Sequence, residues 1–197
     1  DLMIFTKSKR AAERQYKRVS KFIEGKLKLK INKEKTRISK LNEVKYLGYA
    51  FYRVKGKCRF RVHPKSINRL KDKLRVITAR SNGMSIEGRK AKLNQLIRGW
   101  VQYFKLADMK GIMESIDRWV RRRIRMITWK RWKKVKTRFE NLQKLGIAKE
   151  QAWQWANTRK GYWHIANSHI LATTLTNARF EQQGYLSFLK YYLDVRV

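Results

Sequence analysis

One cysteine, one proline, ten glycines and fourteen acids are all that 197 residues contain of these types. With Cys58 alone, neither a disulfide framework nor a cysteine-rich zinc site can form, and a reducing compartment is the natural expectation. So little proline and glycine excludes collagen-like and low-complexity architectures. No run of about eighteen apolar residues occurs, so neither a membrane-spanning helix nor a membrane partner is expected. The three histidines, His63, His164 and His169, are scattered and match no metal-ligand spacing. There is no phosphate-binding glycine loop and no nucleophile elbow. The shortage of acid is the most informative: fifty Lys and Arg stand against fourteen Asp and Glu, a net charge of +36. Such an imbalance implies a polyanionic partner. Disorder is excluded by what is present, 43% apolar residues and seven tryptophans, enough to build packed cores.

Along the chain the hydrophobic period changes once. Leu2 to Phe5 form a short apolar run that predicts a buried strand, and Ala12, Tyr16, Val19 and Ile23 then recur at helical spacing up to Gly25. Leu27 to Ile31 alternate with period two, and two further β-like runs, Val44 to Val54 and Cys58 to His63, flank Lys55-Gly56-Lys57, which predicts a hairpin with one charged face. From Pro64 onward every segment has helical period, Pro being at home in a first helical turn. Ile67, Leu70, Leu74 and Ile77 make one stripe; Ser85 caps a second helix striped by Leu93, Leu96, Ile97, Trp100 and Phe104. Asp108 is the expected cap of a third, with Ile112, Ile116, Val120, Ile124 and Ile127, whose pattern extends to Leu145 before Gly146. Shorter helices follow around Gln151 to Ala156, Ile170 to Ala178 and Leu186 to Leu193. The expectation is an α+β chain: an α+β segment over residues 1–63, a helical bundle over 64–145 and a small helical segment over 146–197.

The densest chemical feature is Arg118 to Arg138, which holds eleven Lys or Arg, no acid, and Trp119, Trp129 and Trp132. A merely solvated helix face would mix in Glu for ion pairs four residues apart and would not expose indoles to water. Cations that track phosphates beside stackable rings are what a nucleic-acid groove requires. The candidates are Arg118, Arg121, Arg122, Arg125, Trp129, Lys130, Arg131, Lys133, Lys134, Lys136 and Arg138. Most tryptophans are expected in the core, a minority on nucleotides. Because Arg121-Arg122-Arg123 covers most sides of a helix, at least one of the three is expected to face a core or a second phosphate strand. Asp1 is the sole acid positioned for polymerase-type metal chemistry, and a lone terminal acid carries no such argument by itself.

In order, the segments resemble the C-terminal half of a group II intron-encoded reverse transcriptase, or maturase. Asp1-Leu2-Met3-Ile4-Phe5 is similar to the second Asp of that family's Tyr-Ala-Asp-Asp turn and the strand after it. Leu27 to Thr36 resembles the palm block ending in Lys-Thr, here Lys35-Thr36, and Tyr46-Leu47-Gly48-Tyr49-Ala50-Phe51 resembles the Phe-Leu-Gly-Phe block at the primer. Leu93 to Phe104, with Arg98 inside it, resembles the maturase signature of the thumb, continued by Arg121 to Arg125 and Trp129 to Lys133. Asn157 to Trp163, with Arg159 and Lys160, is similar to the Lys-Gly-x-Trp stretch of the DNA-binding segment.

The resemblance implies a palm remainder over 1–63, a thumb or maturase domain over 64–145 and a DNA-binding segment over 146–197. It implies Asp1 as a ligand of two Mg2+ ions, whose other ligands lie in the N-terminal half of the same polymerase. Lys35 is implied as a proton donor to pyrophosphate, against the alternative of a surface lysine. Leu47, Gly48 and Tyr49 are implied at the primer, Gly48 having the alternative of a β-bulge glycine. The implied partners are group II intron RNA, an RNA template with a DNA primer, dNTP and target DNA, and the implied roles are RNA-directed DNA synthesis in retrohoming and assistance to splicing. A chain ending at Val197 without a Cys-rich stretch resembles the lineage lacking an endonuclease domain. The expected location is cytoplasmic, in the bacterial cytoplasm or nucleoid, or in an organelle. Three readings stand: a reverse transcriptase, an RNA-binding maturase without polymerase use, and a general basic RNA-binding protein, the last leaving the palm-like blocks unexplained.

Overall fold

A computed structural model describes residues 2–196, and the chain divides into two compact units, 1–63 and 64–197. It is mixed α and β, with a three-stranded antiparallel sheet confined to the first unit. Among the described residues no helix is long and apolar enough to cross a membrane.

In the first unit, Ser8 begins helix α1 (Lys9–Gly25), its hydroxyl accepting from the Ala11 amide at 3.2 Å. Strands β1 (Lys45–Tyr46), β2 (Tyr49–Val54) and β3 (Lys57–Val62) form a meander in the order β1-β2-β3. Both connections are two-residue turns with positive φ at both positions, Leu47 (49°) with Gly48 (83°) and Lys55 (48°) with Gly56 (77°). This is the type I′ geometry whose twist matches a right-handed strand pair. The β2–β3 register brings Phe51 opposite Phe60, ring centroids 5.5 Å apart, on one face. On the other face Lys57, Arg59 and Arg61 stand opposite Val54, Tyr52 and Ala50, the charged face the alternation predicts.

Two expected strands are not formed. Leu2 to Phe5 carry no strand pairing, and Leu2, Ile4 and Phe5 are exposed, although Phe5 meets Phe51 edge-on at 6.1 Å. Leu27 to Ile31 is likewise irregular, with Lys28 at φ 54°. A strand requires a neighbour for its amides and carbonyls, and neither segment has one in the sheet. The α1 stripe is only half-buried, with no residue of the helix enclosed.

In the second unit Pro64 opens α2 (Pro64–Ile77), which buries Leu70 and Leu74, and Ser85 caps α3 (Ile86–Phe104), accepting from Gly88 N at 3.0 Å. Leu93, Ile97, Val101 and Phe104 of α3 are buried, as are Met113, Ile116, Val120, Ile124 and Ile127 of α4 (Lys110–Arg131). The N-cap of α4 is Met109, one residue beyond the expected Asp108, whose carboxylate is drawn to Arg196 at 2.7 Å. The helix also stops earlier than its pattern suggests: Trp132 leaves the helical region (ψ 64°), and α5 (Val135–Lys144) begins after Lys134. The corner is held by Arg138, whose Nε donates to the Trp132 carbonyl at 2.9 Å. Gly146, at φ 90°, ends α5 as expected.

Five short helices follow: α6 (Lys149–Ala156), α7 (Tyr162–Ile165), α8 (His169–Thr174), α9 (Asn177–Gln182) and α10 (Phe188–Val195). The stretch expected as one helix from Ile170 is two, parted at Leu175 where Thr176 caps α9. These helices are built into the same compact unit as α2 to α4. The carboxylate of Asp117 on α4, 5% exposed, caps α10, accepting from Ser187 Oγ (2.6 Å), Phe188 N (2.8 Å) and Leu189 N (2.9 Å). Asn94 clasps the loop before α10, donating to Gly184 O (2.7 Å) and accepting from Leu186 N (3.0 Å).

Candidate nucleic-acid interface

The arginines of α4 separate into two groups by what their guanidinium groups touch. Arg122 donates through Nε (3.3 Å) and Nη2 (2.9 Å) to the carbonyl of Trp163, and Arg125 through Nε (3.0 Å) and Nη2 (2.8 Å) to that of Leu175. Arg123 reaches the end of α2, donating to the Thr78 hydroxyl and to the carbonyls of Arg75 and Thr78. Arg138 donates to Trp132 O at 2.9 Å across the α4–α5 corner and lies 4.8 Å from the Trp129 ring. These side chains are internal ties. Of Arg121 to Arg123, at least one of which is expected to face a core or a second phosphate strand, Arg122 and Arg123 are half-buried and bonded to other parts of the protein. Burial lowers the pKa of Arg123 and Arg125 from the ordinary arginine value, with Arg75 and Arg121 respectively adding like charge.

The second group points to water. Arg118, Arg131, Lys133, Lys134 and Lys136 are exposed and Arg121 is half-buried. Lys130, half-buried, donates to Arg80 O at 2.9 Å. Arg98 is exposed on α3, and Arg159 and Lys160 are exposed in the loop before α7. No acid occurs from Arg118 to Phe139 or from Gln151 to Phe180, so cations greatly outnumber acids along both stretches. Aromatic rings alternate with charge on the same assembly: Arg75 and Arg123 lie 5.7 and 5.1 Å from Trp119, Arg80 lies 5.5 Å from Tyr162, and Arg122 lies 3.9 Å from Trp163. The end of α2, the middle of α4 and the start of α7 thus converge on one basic and aromatic surface. Such a surface can hold a phosphate backbone by charge and accept bases by stacking.

Trp129 is not available to a nucleotide. At 1% exposure it is a core residue, packed on Trp132 at 5.7 Å. Residues that sequence patterns did not single out supply the frame. Arg89, 4% exposed, caps the end of α2 by donating to Ile77 O, to Ala79 O (3.1 Å) and to Asn82 Oδ1 (2.8 Å), its pKa lowered chiefly by burial. It is attracted to that terminus by the helix dipole as well as by its bonds. Asp117 was equally silent, since its role depends on a partner far along the chain.

In the first unit Asp1 lies outside the described residues. Lys35 sits in an exposed turn in which Asn32 Oδ1 accepts from the Lys35 amide at 3.1 Å. Leu47, 55% exposed, and Gly48 form the tip of the first tight turn, and Tyr49 begins β2. Gly48 therefore serves a left-handed turn position and not a bulge. Among the described residues no three His, Cys, Asp or Glu side chains lie together where they could hold a metal ion.

Residues 67–146 match the family model of the group II intron maturase-specific domain. No curated protein matches the chain.

Proposed function

We propose that the chain binds group II intron RNA and assists its splicing through the basic and aromatic surface of α2, α4 and α7, a reading supported by the match of residues 67–146 to the group II intron maturase-specific domain. The observation that carries this reading is the family match falling on α2 to α5, the elements that display the outward cations. Many phosphate contacts would hold the folded RNA, and the fixed shape of the surface would select it, since the grooves of helical RNA offer shape more than sequence. The test is splicing of a group II intron RNA at a magnesium concentration too low for it to react unaided. Addition of the protein is expected to restore splicing. Equal binding to unrelated structured RNA, with no stimulation of splicing, would reduce the protein to a general basic RNA binder.

A second reading, RNA-directed DNA synthesis by the intact polymerase, is favoured by the tight turn that presents Leu47 and Gly48 at a hairpin tip, where a backbone can lie against a primer strand. In that setting the chain would contribute Asp1 to a site for two Mg2+ ions, place Lys35 near the dNTP and hold template and primer on its helical unit, with target DNA met by residues 146–197. The described residues do not themselves form that metal site. When bound, the ions would supply activation of the primer hydroxyl and neutralisation of the leaving pyrophosphate. Primer extension on an RNA template by the intact protein, compared with Asp1→Ala, is expected to show activity only in the unaltered protein; extension undiminished by Asp1→Ala would remove Asp1 from the site. Bacterial cytoplasm or an organelle, where intron and protein meet, is the proposed location.

A further inference from the structure

A tryptophan that serves packing is enclosed, as Trp129 is at 1% exposure, whereas Trp163 remains 39% exposed on a segment that cannot turn it inward. Helix α7 is rooted on either side of the indole. Ile165 and Ala166 are fully enclosed, and Tyr162 packs on a cluster of Met126, Ile127 and Ala166. The guanidinium carbon of Arg122 lies 3.9 Å from the centroid of the Trp163 ring. The same guanidinium donates twice to the Trp163 carbonyl, so it is fixed in place behind the ring. One indole face is therefore backed by a held cation, and the exposed remainder is presented rigidly to solvent.

The surroundings define the ligand. Arg159 and Lys160 are exposed just before α7, and residues 151 to 180 contain no acid, which selects an anion. A rigid open ring face selects a flat aromatic. A chain of phosphates bearing flat rings satisfies both requirements, and only an unpaired base has a free face, because duplex bases are covered by their neighbours.

We infer that the open face of Trp163 is a stacking platform for an unpaired nucleobase in a single-stranded nucleic-acid segment, with Arg122 behind the indole and Arg159 and Lys160 at the flanking phosphates. This rests on the nucleic-acid reading above and deepens it by naming the part of the ligand that the α7 edge takes.

The experiment compares the full chain with Trp163→Ala and Trp163→Phe, using labelled single-stranded RNA and DNA of one sequence, about a dozen nucleotides long, and the corresponding RNA duplex. Trp163→Ala is expected to weaken single-strand binding about tenfold, as loss of one stacked base does. Duplex affinity and the salt dependence of single-strand binding are expected to stay unchanged, because no phosphate contact is removed. Trp163→Phe, which keeps a ring, is expected to recover most of the loss. A greater loss on RNA or on DNA identifies which strand supplies the base and supports the platform in either case. Equal losses on single strand and duplex, or a Phe variant as weak as Ala, would overturn it. If the unaltered chain binds RNA with steep salt dependence and Trp163→Ala is indistinguishable from it, the platform alone falls; if the unaltered chain binds neither RNA nor DNA, the function reading falls with it.

Discussion

Alanine at Arg118, Arg121, Lys133, Lys134 and Lys136 together is expected to lower affinity for structured RNA on the order of a hundredfold or more at low salt, while the melting temperature barely moves. These cations are exposed or half-buried along α4 and the start of α5. Each that touches a phosphate releases a counterion on binding. Losing all five should therefore flatten the slope of log affinity against log salt by about four units. The informative counterpart is Arg125→Gln. Its guanidinium is engaged with Leu175 O at 2.8 and 3.0 Å. That variant is expected to lose about 2 kcal/mol of stability, the worth of a charged hydrogen-bonded tie, and to keep the full salt slope. Filter binding across a salt series with parallel thermal melts separates the two effects. A five-fold variant whose slope matched the unaltered protein would mean that RNA is held elsewhere.

Asp117→Ala is expected to cost the helical unit a large loss of stability. The carboxylate is 5% exposed and accepts three hydrogen bonds from the first turn of α10. Alanine would strand two amides and a hydroxyl at the junction of α4 and α10. About 3 kcal/mol, or roughly 10 °C in melting temperature, is the expected cost. Asp108→Ala provides the comparison, because its pair with Arg196 is partly exposed, the side chains being 24% and 39% accessible, and should contribute no more than about 1 kcal/mol. Thermal melts followed by circular dichroism would decide; equal melting of the two variants would show that the Asp117 cap does not hold α10.

The elements that were legible in the sequence are those whose determinants are local. Pro64 and Ser85 mark helix starts because the first turn itself uses them, and Lys55-Gly56 marks a hairpin because the left-handed turn needs such residues. The turn at Leu47-Gly48 was hidden, since a leucine at positive φ advertises nothing. Leu27 to Ile31 alternates like a strand but lacks a sheet neighbour, and pairing is a property no single segment carries. The basic stretch from Arg118 to Arg138 was plain as a whole. Its division into ties and outward charges was not, because Arg122, Arg123 and Arg125 end on Trp163, Thr78 and Leu175, more than forty residues away. Asp117 was invisible for the same reason: a buried acid in a basic helix has no pattern until α10 arrives beside it.

The ties that bind α6 to α10 onto the rest of the helical unit share one chemical trait. Arg122, Arg125, Arg179 and Asn94 terminate on main-chain carbonyls, of Trp163, Leu175, Leu145 and Gly184 respectively, and Asp117 on main-chain amides and one hydroxyl. Every residue supplies a carbonyl, and every residue but proline an amide, so most of these attachments make little demand on which side chain sits at the receiving position. The C-terminal helices can therefore exchange many of their outward residues without being unfastened from the scaffold. Surface composition and docking are chemically decoupled in this part of the chain.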